Sequence, residues 1–413
     1  MNTPLRVALI ASNRFPISQP FAGGLEAHVW HLARSLTALG HHVALFAATG
    51  SDSELGCDSL SVRDLTLSSA AAADPSASAP AFMADHHAYL TLMMHLATGS
   101  AEPFDLIHNH SLHHLPVAMA PLLSTPMLTT VHTPPTPWLE SALHVTGGSG
   151  THFAAVSRHT AKSWQHAVPT MSLVPNGVDS RLWPLGPGGD DLVWFGRITP
   201  EKAPHLAIDA AQRAGRSLVL AGPVHHDEYY RDQIAPRLSD RIRHVGHLRH
   251  DELAELVGRS AVALVTPVWD EPYGLVVAEA MSCGTPVVAF ARGGIPEVVT
   301  DAGGRLVEPG DVDAMADAIA SAEGLSRTAV HRHAVTRCSA GAMVAAYEAI
   351  YYHMIEEAGE GSRDRLLHPS LRPRTPQSGR QHHHPTASAG HRPDVTGRPG
   401  AASVRRHPDA TPR

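Results

Sequence analysis

Lysine is almost missing from this chain. Lys162 and Lys202 are its only two, so nearly all of the 32 basic residues are arginines, and a lysine that survives such a bias invites a reason. Cysteine is nearly as scarce. Cys57, Cys283 and Cys338 are odd in number, far apart and without a CxxC spacing, which argues against a disulfide framework or a structural zinc and for a reducing compartment. No uninterrupted apolar run approaches the ~20 residues needed to span a bilayer. Residues 1–6 lead straight into the strand-like LRVALIA, leaving no room for a charged, apolar and cleavable leader, so a cytoplasmic protein is expected. The first glycine turn contains no GxGxxG and no acidic residue closes the second strand, so a dinucleotide-binding fingerprint is absent.

What is present is a long and rather acidic body. At 413 residues and 43% hydrophobic content, two domains with additions are expected. The net charge of −7 is unevenly spread. Residues 361–413 hold ten arginines and three aspartates, a sum of +7, which leaves −14 on the preceding 360 residues. An acidic body argues against nucleic acid as a partner. The stretch from 358 to the end is rich in Pro, Arg, His, Gly and Ser with few large apolar residues, and reads as a disordered basic tail. Such a tail could make weak peripheral contact with anionic lipid, at ~1 kcal/mol per charge near the surface.

Taken in order, Leu5–Ala11 reads as a buried strand, SNRFPISQPFAGGLE as a loop, Glu26–Leu39 as a helix and HHVALFAA as the next strand. This βαβ unit implies a parallel sheet with a right-handed crossover. Residues 51–80 read as irregular, followed by a helix near Met83–Thr98 and the strands FDLIHNH and PMLTTVH. His108, His110, His113 and His114 cluster in sequence. With 31 histidines scattered along the chain and no carboxylate or cysteine at ligand spacing, they are read as a crevice-edge loop rather than a metal site. Ser157 is placed as a helix N-cap, and Leu185–Asp191 is the strongest linker signal. LVWFG then opens a second α/β segment. Arg197 and Lys202, in the strand-to-helix loop RITPEKAP, suit a diphosphate: a planar fork and a compact point charge. Asp311-Val312-Asp313 has the form of a metal-binding carboxylate pair, but it follows Pro309-Gly310 at a helix start, where aspartate caps.

The stretch Asp270–Glu297, DEPYGLVVAEAMSCGTPVVAFARGGIPE, reads as a loop, a helix from Pro272 or Tyr273 to Met281, the buried strand VVAF and a second glycine turn. Glu271 and Glu279 bracket the helix start beside glycine turns at the carboxyl end of a strand, which describes a polar-ligand crevice.

EPYGLVVAEAMSCGTPVVA resembles the EPFGLVxxEAMAxGxPVVA signature of the retaining glycosyltransferases of family 4. RITPEKAP resembles that family's GRLxxEKG, with Ala203 in place of a glycine, and MSLVPNGVD its VIPNGVD. The resemblance spans about residues 5–357 and is strongest over 192–310. It implies an α/β protein of GT-B fold, two Rossmann-like doubly wound parallel-sheet domains facing a cleft. An acceptor-binding domain at 1–180 and a nucleotide-sugar domain at 190–335 are expected, with a helix at 336–357 crossing back to the first. It also implies that Glu271 contacts donor-sugar hydroxyls and Glu279 the ribose, with Tyr273, Gly274 and Leu275 in the same loop. Gly23 and Gly24 would lie against a phosphate, Gly246 and Leu248 along the base, and His132, followed here by Thr133, would reach the transferred sugar.

The chemistry implied is hexose transfer from a nucleoside-diphosphate sugar to an acceptor hydroxyl, with retention of configuration. Arg197 and Lys202 would replace a metal cation, so no metal or other cofactor is expected. Two alternatives remain: a GT-B epimerase or phosphorylase, and a non-catalytic sugar-nucleotide binder. The acceptor, a glycan, lipid-linked glycan or small molecule, is left open.

Overall fold

The computed structural model describes residues 3–60, 65–76, 78–99 and 103–367, with side chains as far as residue 360. Its contacts divide the chain at Arg363, and the architecture below belongs to the unit Met1–Arg363. Two sheets follow one another along the chain, and every strand pairing in them is parallel. The first contains β1 (Arg6–Ile10), β2 (His42–Phe46), β3 (Asp58–Ser59), β4 (Leu106–Asn109), β5 (Met127–Val131), β6 (His152–Ala155) and β7 (Ser172–Leu173), in spatial order 3-2-1-4-5-6-7. The second contains β8 (Leu192–Phe195), β9 (Leu218–Ala221), β10 (Ile242–His244), β11 (Val262–Val265), β12 (Val287–Phe290) and β13 (Gly304–Val307), in order 10-9-8-11-12-13. This is the GT-B architecture of two doubly wound sheets.

The central strands are buried and mostly apolar because helices cover both faces of a parallel sheet, with His108, Asn109, Thr129 and Thr130 as buried polar exceptions. Val7 sits opposite Val43 on one side and Leu106 on the other. β8 is buried at all four positions. In each sheet the strand order reverses at one place, between β1 and β4 and between β8 and β11. Side chains leaving the carboxyl ends of these four strands have no crossover helix above them, which opens a crevice at each reversal.

The predicted elements are present with shifted ends. The first helix runs Gly24–Ala38, starting before Glu26, and buries Val29, Leu32, Ala33 and Leu36 at helical spacing. The segment expected to be irregular contains a 3-10 turn at Ser53–Leu55, the edge strand β3 and a short helix at Ser69–Ala72; residues 61–64 and 77 lie outside the described residues. Asp311 caps the helix Val312–Glu323 by accepting from the Ala314 N–H at 2.8 Å, and Asp313 pairs with Arg213 at 2.6 Å.

The last helix runs Ala340–Leu367, beyond the expected end at 357. The rest of the tail, 368–413, lies outside the described residues. Met343, Val344, Tyr347, Tyr351 and Met354 pack with Leu9 and Leu128 of the first sheet and with Val29 of the helix Gly24–Ala38. Polar contacts hold the same seam. The Tyr351 hydroxyl lies 2.6 Å from His108 Nδ1, whose Nε2 is 2.8 Å from Thr130 Oγ1. Among the described residues no helix is long and apolar enough to cross a membrane.

Tyr351→Phe leaves His108 Nδ1 buried without its partner. It is expected to lower unfolding stability by about 1–3 kcal/mol in urea titrations, the usual cost of orphaning a buried polar group. A variant as stable as the parent would show that this contact contributes nothing to holding the last helix.

Candidate functional site

The loop after β11 carries Trp269 and Glu271, and its shape is set by glycines. The following helix is Leu275–Ser282, so Pro272 and Tyr273 lie outside it, contrary to the expected start. Gly274 is its N-cap at φ 90°, ψ 56°, a left-handed conformation costing a residue with Cβ roughly 1–2 kcal/mol. A Cβ there would also stand 2.9 Å from Ile295 Cγ1. The turn after β12 presses against the same loop. A Cβ on Gly293 would lie 2.1 Å from the Glu271 carbonyl oxygen, and one on Gly294 would lie 2.4 Å from that of Pro272. With no side chains in the way, the Gly294 N–H donates to the Glu271 carbonyl at 2.6 Å.

The loop is also tied to the first sheet. The Pro272 carbonyl accepts from Ser157 Oγ at 2.5 Å and Thr160 Oγ1 at 3.1 Å. The Glu297 carboxylate accepts the Arg158 and His159 N–H groups at 2.9 and 2.7 Å, capping the helix Arg158–Trp164 from across the cleft. Glu271 is thereby held between the two sheets.

Its carboxylate meets Lys202. Lys202 Nζ donates to Glu271 Oε2 at 2.5 Å, and Trp269 Nε1 donates to the same oxygen at 3.0 Å. Lys202 Nζ also lies 5.1 Å from the centre of the Trp269 ring. The two charged side chains are only 23% and 15% exposed. Lys202 is aimed by its backbone: Thr266 Oγ1 donates to the carbonyls of Lys202 and Ala203. Ala203 sits at φ 46° although it is not glycine, at the position where the expected signature has one.

Opposite stands the start of helix Gly24–Ala38. Gly24 lies against Leu275, where a Cβ would be 3.6 Å from Leu275 Cδ2, and Gly23 lies against Arg197, with Nη1 3.7 Å from a Cβ built there. Arg197 is half-buried and lines both pockets described below. Two helix N-termini and two cations therefore converge on one space, a field that favours an anion. Glu26 is the one acid close by in the first helix. It is 4% exposed, and burial raises its pKa against the lowering effect of its own backbone hydrogen bond and Arg197.

The space consists of two pockets sharing Gly23, Gly24, Arg197, Lys202, Glu271 and Leu275. One, of about 960 Å³, is walled by Trp183, Phe195 and Leu248 and reaches Glu279. The other, of about 830 Å³, is walled by Arg14, His132, Thr133, Asn176, Trp269, Tyr273 and Gly274. The Thr133 Oγ1 and Asn176 Oδ1 atoms are buried without a protein partner, as expected of groups awaiting a ligand. His132 Nε2 is 3.0 Å from His110 Nδ1.

Of the residues singled out in the sequence, the structure gathers all but one into these walls. Gly246 lines neither pocket. At φ 83° it turns the chain, and its carbonyl accepts the Gly222 N–H at 2.8 Å, so His247 and Leu248 form the wall instead. His247 Nε2 donates to the Phe21 carbonyl across the cleft at 3.0 Å. Sequence reasoning did not single out Arg14, Trp269 and Asn176. Asn176 stands inside the VPNGVD segment and Trp269 one residue before the DEP start, so proximity to those motifs was the available signal. The four clustered histidines divide. His108 is satisfied within the core, His110 joins His132, and His113 accepts from the Leu115 N–H as a helix cap.

Comparison with known proteins agrees along most of the chain. Residues 22–182 match the family described as Glycosyltransferase Family 4, and residues 184–333 the family described as Glycosyl transferases group 1. Glycogen synthase of Mycobacterium tuberculosis is 30% identical over 351 residues, covering 72% of this chain and 82% of that protein. D-inositol 3-phosphate glycosyltransferase of Mycolicibacterium paratuberculosis is 28% identical over 428 residues, covering 88% and 94%. Among solved structures, Anabaena HepE in complex with UDP and glucose is similar at a TM-score of 0.65 and 17% identity, covering 84% of this chain and 100% of that one.

Glu279 yields a pH test. Burial raises its pKa to about 8 from an ordinary 4.5. Below 4.5 the group is neutral both folded and unfolded; between the two values only the unfolded chain releases the proton. Stability therefore falls as pH rises through this window, by at most about 1.4 kcal/mol per pH unit. Glu279→Gln removes that contribution. Urea titrations at pH 5, 6, 7 and 8 should show the parent losing stability relative to the variant, and parallel profiles would contradict the assignment.

Proposed function

We proceed from one premise, that this chain belongs to the family 4 glycosyltransferases, and propose that it moves a hexose from a nucleoside-diphosphate sugar to an acceptor hydroxyl with retention of configuration and no metal ion at the diphosphate. The observation that carries this reading is the Lys202–Glu271 pair at the junction of the two pockets, with Arg197 and two helix starts facing it.

The pocket walled by Trp183, Phe195 and Leu248 suits the nucleoside. Its apolar wall would take the base, and Glu279 would accept from a ribose hydroxyl. Charge grows on the departing diphosphate, and Arg197, Lys202 and the N–H groups at Gly23 and Gly24 stand ready to stabilise it without reorganising. Lys202 can do so while holding the Glu271 carboxylate in place, and Glu271 can accept from donor-sugar hydroxyls. His132 stands on the wall of the second pocket, where it would face the sugar. The acceptor oxygen enters from the second pocket on the face the diphosphate leaves. It bonds to the anomeric carbon as the bond to the diphosphate breaks, and its proton passes to a diphosphate oxygen, so no side-chain base is required. Asp311 and Asp313 are occupied elsewhere, in a helix cap and an ion pair with Arg213, which supports chemistry carried by side-chain cations.

The test is a donor screen with EDTA present, following nucleoside diphosphate release from UDP- and GDP-sugars. UDP-glucose comes first, because Anabaena HepE is in complex with UDP and glucose. Release from one donor is expected, with Lys202→Ala abolishing it and Glu271→Ala losing ~2–4 kcal/mol of transition-state stabilisation in kcat/KM. Product analysis should show the donor's anomeric configuration. An absolute need for added metal, or neither turnover nor calorimetric binding with any donor, would sink the reading.

A further inference from the structure

Three histidines distant in the chain meet behind the second pocket. His28 comes from the helix Gly24–Ala38, His110 follows β4 and His132 follows β5. His28 and His110 are 3% and 0% exposed, and His132 forms part of the pocket wall. Their ring centres stand 5.2 Å (28 to 110), 4.9 Å (28 to 132) and 5.2 Å (110 to 132) apart, close to an equilateral triangle. One nitrogen from each ring lies within 4.8 Å of the other two.

Those distances have a chemical meaning. Three imidazoles bound to one tetrahedral ion, with metal–nitrogen bonds of ~2.0–2.1 Å, place their ring centres about 5 Å apart. Aromatic packing alone would allow such spacing, but it gives no reason for nitrogens to be buried unpaired. Nε2 of His28 and Nε2 of His110 are both buried without a hydrogen-bond partner. Unpaired buried polar atoms are rare because they are costly, and ligation relieves that cost. Burial also holds all three imidazoles in the neutral form, which keeps a lone pair free for a cation.

We propose that His28, His110 and His132 bind a single divalent cation of the zinc class, with its fourth coordination position open to the second pocket. Neutral imidazole ligands suit zinc, cobalt, nickel and copper rather than magnesium or calcium, which prefer oxygen. His108 stays outside the site because both of its nitrogens are engaged by Tyr351 and Thr130. The other grouping, His86, His113 and His114, is less suited. His113 and His114 are stacked at 4.4 Å with 25° between their planes, and His113 Nδ1 is occupied as a helix cap. The site needs no transfer reaction to exist, so its test is independent of the proposed activity.

Full-length protein stripped with EDTA and desalted is titrated with Co²⁺, whose visible spectrum distinguishes four from six ligands. The expected result is one equivalent showing the intense absorption of a four-coordinate ion, lost when one equivalent of Zn²⁺ is added. His28→Gln and His110→Gln should each lose that spectrum. His86→Ala should keep it, as should the combined His382→Ala, His383→Ala and His384→Ala variant, which removes a run of three tail histidines. If the wall variants do not fold, the parent and these two controls still decide the matter. Only a pale six-coordinate spectrum in the parent, or a four-coordinate spectrum that survives His28→Gln, vanishes in the tail variant or is lost in His86→Ala, overturns the proposal.

Discussion

An ammonium and a carboxylate are held together, mostly buried, at the junction of two pockets, and the surrounding structure serves that contact. The attraction between Lys202 and Glu271 is of the same order as the cost of desolvating both, so the pair is a weak source of stability. Its value lies in position. Trp269 fixes one Glu271 oxygen, Thr266 fixes the backbone of Lys202, and Gly293 and Gly294 let a second turn support the backbone of residues 271 and 272. Through Pro272 and Glu297 the same loop is fastened to the helix Arg158–Trp164 of the first sheet. Any change that loosens one of these supports would loosen the ion pair as well.

The topology explains why the pair faces an anion site. Each sheet reverses its strand order once, and each reversal leaves the carboxyl ends of two strands open. The helix starting at Gly24 enters the cleft from one side and the helix starting at Leu275 from the other. Their positive ends add to Arg197 and Lys202, while Glu26 and Glu279 stay in less polar surroundings that disfavour their ionised forms. Arg14, Arg197 and Lys202 thus gather around one space in a chain whose body is acidic overall.

Much of the site was legible because its parts are local. The stretch 270–297 holds a carboxylate, a helix start and a glycine turn within a single strand–helix unit, and Lys202 stands out in a chain with two lysines. Helix ends were less legible. Pro272 resembles a first-turn residue, but Gly274 alone accepts φ 90° there, so the helix begins later. In the Gly246–Leu248 segment the wall is formed by His247 and Leu248, because the positive φ of Gly246 serves a turn. Glu271 and Glu279 carry equal weight in the sequence, but only one of them meets a lysine.

The sequence by itself determined the fold class, the alternation of strands and helices, the donor-side motif and the enzyme family. These depend on patterns within a few turns of chain. The tertiary structure decided what depends on residues far apart in the chain: that His108 is bound by Tyr351, that His28 and His110 come to lie beside His132, that Glu297 caps a helix of the other sheet and that Lys202 pairs with Glu271. Local propensity encodes where a strand ends. Which side chains meet beyond that end is set by how strands, helices and loops pack within each sheet and between the two, and no spacing within one segment records it.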